Sequence, residues 1–169
     1  PFDVVILSGD LAYTGQLAEY ETFAKLVLEP LKATALCKDS SFIAAPGNHD
    51  LDCDAALPAL WSALGAKRQE QFFQLGEGGR KVRGPRAVAF ENYTNFVKKY
   101  VIHSANPLEE PAALVEIEVR GELFNFVSVV TAYFSDKDTK DYQITPAPTH
   151  AVRAVLQNRR EPSPPILIA

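Results

Sequence analysis

Apolar and polar positions alternate along this chain in blocks that predict an α/β order of elements. Phe2 to Leu7 is apolar and rich in β-branched residues, and it exits through Ser8-Gly9-Asp10, which predicts a buried strand. From Gln16, Leu17, Tyr20, Phe23, Ala24, Val27, Leu28 and Leu31 recur at helical spacing, with Pro30 placed to kink or stop the helix. Phe42 to Ala45 is a second short apolar strand, closed by Pro46-Gly47-Asn48-His49-Asp50. Strand, helix and strand in that order make a parallel βαβ unit with a right-handed crossover.

Beyond Asp50 the pattern is less regular. Ala55 to Leu64, with Trp61, and Lys67 to Leu75 read as short helices, and Gly76 to Pro85 as a loop rich in Gly and Arg. Ala87 to Val101 reads as a helix, because Val88, Phe90, Tyr93, Phe96, Val97, Tyr100 and Val101 share one apolar face. This block, residues 55–111, is expected to be a helical insertion between core strands, placed to cap the site. Ala112 to Val119 and Leu123 to Thr131 are strands joined by Arg120-Gly121-Glu122, a tight hairpin turn. Ser135 to Gln143 reads as a polar loop, Thr149 to Asn158 as a helix capped by Thr149, and Ile166 to Ala169 as the start of another strand. The sum is α/β with mixed sheet pairing, in a single domain over residues 1–169.

Composition changes this picture little. The chain is 47% hydrophobic and 22% charged, values of an ordinary globular protein. A formal net charge of −4 argues against a general polyanion-binding surface. Arg80, Lys81, Arg83 and Arg86 form a local basic patch, which we read as a solvated loop. Two cysteines, Cys37 and Cys53, are too few for a disulfide scaffold, and no transmembrane run is present, so the expectation is a cytoplasmic protein with reduced thiols. The chain contains no methionine, opens on Pro1-Phe2 directly into a strand and closes on an apolar run. It is therefore expected to be an internal piece of a domain, truncated at both ends.

The two strand exits carry the chemistry. A carboxylate at Asp10 can bridge two metal ions, one oxygen to each, and Asn48 offers a neutral amide oxygen suited to hard divalent cations. His49 can protonate a leaving oxygen or steady a phosphoryl oxygen, and Asp50 can hold its imidazole in the useful tautomer. A lone Gly-Asp after a strand is usually only a turn, and a lone Asn-His-Asp often caps a helix. Both together, in this order and joined by one helix, are a far more specific signal.

Gly9-Asp10-Leu11-Ala12-Tyr13-Thr14-Gly15, with Glu19-Tyr20 after it, resembles the second signature block of the calcineurin-like metallophosphoesterases. Pro46-Gly47-Asn48-His49-Asp50 resembles the third. The resemblance implies a four-layer αββα sandwich with mixed sheets and a dinuclear site for two divalent ions (Mn, Fe, Zn or Ni). Asp10 would bridge the metals, Asn48 would bind the second, and His49 with Asp50 would assist phosphoryl transfer. The family's first block, an Asp and a His on one strand, has no counterpart here, and neither do its later histidines. This chain alone is accordingly expected not to hold a complete dinuclear site. His103 is expected to cap a helix C-terminus, His150 to lie at the surface, and Cys53 to be a packed small residue.

Tyr13-Thr14-Gly15 and Asp50 stand where protein phosphatases of this superfamily carry Asp-Arg-Gly and Glu, which disfavours that branch. Gly15 to Tyr20 more closely resembles cyclic-nucleotide phosphodiesterases and bacterial phosphoesterase domains, some of them fused to signalling ATPases. The expected activity is hydrolysis of a small phosphomonoester or phosphodiester, with no membrane partner and nucleic acid not favoured. The alternatives are a non-catalytic interaction or regulatory module on the same scaffold, and a nuclease of the DNA-repair branch.

Overall fold

The computed structural model describes residues 1–52, 54–55, 64–101, 103–135, 147–160 and 165–168. Two three-stranded sheets form its centre. In the first, β1 (Val4–Leu7), β2 (Ser41–Ala44) and β3 (His103–Ser104) run parallel, with Val4 opposite Ser41 and Ile43 opposite His103. In the second, β4 (Ala112–Val119) and β5 (Glu122–Val129) are antiparallel, and β6 (Ile166–Ile168) joins β5 in parallel. Val119 pairs with Glu122 across a two-residue turn in which Arg120 (φ 54°) and Gly121 (φ 84°) are both left-handed. That backbone twist matches the twist of the strands it joins.

Period-two alternation sorts the side chains into layers. Phe42 and Ala44 face a helical layer, together with Val5 and Leu7. Ile43, Ala45 and Val4 face the second sheet and meet Val115, Ile117, Phe126 and Ile168. The far side of the second sheet, Ala112, Val127 and Val129, packs on Ala151 of α6 (Thr149–Gln157). The result is helices, sheet, sheet, helix, as the resemblance implies. Ser128 stitches the two sheets: its buried hydroxyl donates to Ala44 O at 2.7 Å and accepts from Ala105 N–H at 3.1 Å.

The helical layer departs from the sequence pattern in instructive ways. The first crossover runs as α1 (Leu17–Phe23), a π-helical turn (Ala24–Leu28) and α2 (Glu29–Ala33). Glu29 N–H reaches back five residues to Ala24 O, and Pro30, which has no N–H, follows within the helix instead of ending it. The buried stripe runs through Tyr20, Ala24 and Leu28, and Leu17 and Val27 are 51% and 46% exposed.

Residues 76–85, expected as a loop, are mostly helical: α3 (Ala66–Phe72) is followed by α4 (Glu77–Ala87), a 3-10 turn (Val88–Phe90) and α5 (Glu91–Tyr100). Two arginines of the supposed solvated patch are buried and hold α4 in place. Arg83 Nη1 donates to Phe72 O (2.6 Å) and Gln74 O (2.7 Å), and its Nη2 to Glu109 O (2.5 Å). Arg86 donates through Nε to Tyr133 O and through Nη2 to Ser135 O. Only Arg80 and Lys81 are solvated, paired with Glu109 and Glu77. These long-range bonds override the poor helix propensity of Gly78, Gly79, Gly84 and Pro85.

His103 opens β3 instead of capping a helix, and His150 is exposed on α6, where Thr149 makes no side-chain cap. Cys53, Trp61 and nearly all of the loop expected over 135–143 lie outside the described residues. No helix among the described residues is long and apolar enough to cross a membrane.

Candidate active site

The two motif loops leave the C-terminal ends of adjacent parallel strands, held side by side by Ala45 N–H donating to Leu7 O at 3.0 Å. Chain ends there leave backbone groups and side chains facing a common crevice. The loops touch through glycines. An ideal Cβ on Gly9 (φ 99°) would stand 2.7 Å from Gly47 Cα, and one on Gly47 would stand 2.3 Å from Asp10 Oδ1. No side chain fits between them. Asp10 is itself left-handed (φ 55°), a conformation Asp tolerates better than most residues. This turns its exposed carboxylate back over the second loop, where Oδ1 accepts His49 N–H at 3.0 Å.

Asp50 does something other than orient the imidazole. Its carboxylate is fully buried and accepts from four donors on three segments: Leu11 N–H (3.0 Å), Ala12 N–H (3.1 Å), Gly47 N–H (2.9 Å) and the Tyr20 hydroxyl (3.0 Å). Burial pushes its pKa up, and the hydrogen bonds from Gly47, Tyr20 and Ala12 oppose that rise. Burial also drives the Tyr20 hydroxyl pKa far up, with the Asp50 charge adding to it, so Tyr20 stays a donor. Asp50 is thus the tie between the two loops and α1.

The imidazole partner is instead the backbone of Tyr13. His49 Nδ1 lies 2.8 Å from Tyr13 O, and the Tyr13 ring stacks on the imidazole with centroids 5.3 Å apart and planes 16° apart. A carbonyl can only accept, so Nδ1 carries the proton and Nε2 is the nitrogen left to act. A cavity of about 600 Å³ opens beside His49, lined by Asp10, Tyr13, Glu19, Thr22 and Phe23 among others. The sequence pattern did not single out Tyr13 as a partner of His49, because a backbone carbonyl leaves no trace in residue type.

Asp10 and Asn48 suit hard divalent cations in kind, one as a carboxylate and one as an amide oxygen. Among the described residues, no group of three or more His, Cys, Asp or Glu is placed to hold a metal ion.

No curated protein and no solved structure matches the chain. The family model described as calcineurin-like phosphoesterase matches residues 1–150, a span that takes in both loops, the crossover between them and the second sheet's hairpin. With two sheets between helical layers and the paired Gly-Asp and Gly-Asn-His-Asp loops at one strand edge, the chain belongs to the calcineurin-like phosphoesterases, a family of phosphoester hydrolases.

Proposed function

We propose that this domain hydrolyses a small phosphoester in the manner of the bacterial cyclic-nucleotide phosphodiesterases, in the cytoplasm. The observation that carries the reading is the bond from His49 N–H to Asp10 Oδ1, which joins the two motif loops that carry Asp10, Asn48 and His49. In this reading Nδ1–H stays on Tyr13 O, and a second proton carried on Nε2 passes to the leaving oxygen, or is donated to a phosphoryl oxygen, from the wall of the cavity. Asp10 and Asn48 would serve as two ligands of a pair of divalent cations of the Mn, Fe, Zn or Ni type, whose charge favours the phosphoryl oxygens. The branch assignment is supported by Tyr13-Thr14-Gly15 and Asp50, which depart from the protein phosphatase pattern, and by the Gly15 to Tyr20 segment, which resembles the phosphodiesterases.

The test is hydrolysis of a chromogenic phosphomonoester and a phosphodiester by the full-length protein in the presence of Mn²⁺. Turnover is expected on the diester and should collapse in Asn48→Ala and His49→Ala. Equal turnover in both variants would remove these residues from the reaction. Absence of turnover on either substrate with metal present would favour a non-catalytic interaction module.

A further inference from the structure

Glu19 lies one turn into the crossover helix and reaches back over the first motif loop. Its Oε2 accepts three hydrogen bonds there: from Thr14 N–H (2.9 Å), the Thr14 hydroxyl (3.1 Å) and Gln16 N–H (3.0 Å). Burial pushes its carboxyl pKa up, but the hydrogen bonds from Thr14 and Gln16 outweigh burial and hold it below the usual range. The carboxylate is therefore the form built into the turn. A second tether comes from α5, where Asn92 Nδ2 donates to Gly15 O at 2.9 Å.

Tyr13 is the residue immediately before this clamped turn, and its carbonyl is the group facing His49 Nδ1 at 2.8 Å. Its side chain does not fix that carbonyl unaided, since Tyr13 is 75% exposed and its ring stacks on the imidazole it would have to position. What fixes the carbonyl is the turn behind it, where a negatively charged acceptor gathers two N–H groups and a hydroxyl. Charge-assisted bonds of this kind are stronger than neutral ones.

We infer that Glu19 is a positioning residue for His49: by holding the Thr14–Gln16 turn it sets the Tyr13 carbonyl against Nδ1 and so decides which nitrogen of the neutral imidazole carries the proton. The inference rests on the reading of His49 as the working group, and it gives that reading a device for selecting the tautomer. Asp50, spent on joining the loops, leaves that task open.

The experiment is a long-range ¹H–¹⁵N correlation spectrum of the chain, taken at about pH 8.5, where an ordinary imidazole is neutral. The parent chain should show His49 as the Nδ1–H tautomer. Glu19→Ala should shift His49 toward the Nε2–H tautomer, while His103 and His150 keep their resonances as a control for folding. Glu19→Gln retains an acceptor without the charge and should give an intermediate mixture, and it carries the test should the alanine variant not fold. His49 remaining fully Nδ1–H in a folded Glu19→Ala or Glu19→Gln variant would overturn the inference, as would an Nε2–H tautomer in the parent. The readout uses no substrate and no metal, so it stands or falls separately from the Asn48 and His49 activity test.

Discussion

The Tyr20 hydroxyl donates to Asp50 Oδ1 at 3.0 Å and also lies 3.1 Å from Asp50 O, joining the crossover helix to the second motif loop inside the core. The same carboxylate oxygen accepts Leu11 and Ala12 N–H from the first loop. One buried charge therefore holds three segments that sequence separates by up to 39 residues. Tyr20→Phe keeps the ring packing against Phe96 and removes only this donor. It should cost about 1.5–3 kcal/mol, the range for a hydrogen bond to a charged group. Urea unfolding measures it, and an unshifted midpoint would mean that the bond contributes nothing net.

Gly47→Ala tests the close approach of the loops. The new methyl would overlap Asp10 Oδ1 and stand 2.6 Å from Asp10 N, so one loop must move. Overpacking of this kind costs about 1–3 kcal/mol. The specific signature is loss of hydrogen-exchange protection at His49 N–H, whose acceptor is Asp10 Oδ1. Retained protection at that amide would show that the loops are not in contact as described.

Ser128→Ala should loosen the join between the sheets. It leaves Ala44 O and Ala105 N–H without their buried partner, a loss of about 1–3 kcal/mol for unsatisfied groups. Ser128→Thr keeps the hydroxyl and should recover part of that loss. Thermal unfolding of the two variants separates lost hydrogen bonding from altered packing.

Arg83→Met removes the donor to two backbone carbonyls at the α3–α4 junction, Phe72 and Gln74, and to a third, Glu109, ahead of β4. A loss on the order of 3 kcal/mol is expected, since buried acceptors are left unmet. Arg83→Lys should rescue little, because a single ammonium cannot span carbonyls that the planar guanidinium reaches from both ends. Full stability in the Lys variant would contradict this account of α4.

The acid response of the first loop has a definite sign. The folded Glu19 carboxyl titrates below its unfolded value, so the carboxylate favours the folded loop. That contribution is complete above the ordinary glutamate range, about pH 4.3, and is lost as pH falls through the lower folded value. The stability gap between the parent chain and Glu19→Gln should therefore be constant near neutrality and close below about pH 4. A gap that widens on acidification would reverse the sign.

Much of the strand order was legible because burial imposes simple patterns. Val4 to Leu7 and Ser41 to Ala44 are short, apolar and bounded by polar exits, and the Arg120-Gly121 turn announces its hairpin. The helical layer was less legible. Val27 sits at helical spacing yet faces solvent, because a π-helical turn slips the register by one residue ahead of Pro30. Residues 76–85 look like a loop and are mostly helical, because Arg83 and Arg86 find carbonyls contributed by segments far along the chain.

At the site the division is similar. Residue types and their order along the chain determined that Asp10, Asn48, His49 and Asp50 would stand at one strand edge, since two adjacent parallel strands deliver their exits to the same place. Only the tertiary structure decided what each group touches. It gave the Asp50 carboxylate to backbone N–H groups and Tyr20, and it gave the imidazole to the Tyr13 carbonyl. The reason is that a buried charge takes the nearest set of donors able to replace its lost water. Which donors are nearest depends on how the loops fold over one another, a relation that spacing along the chain does not contain.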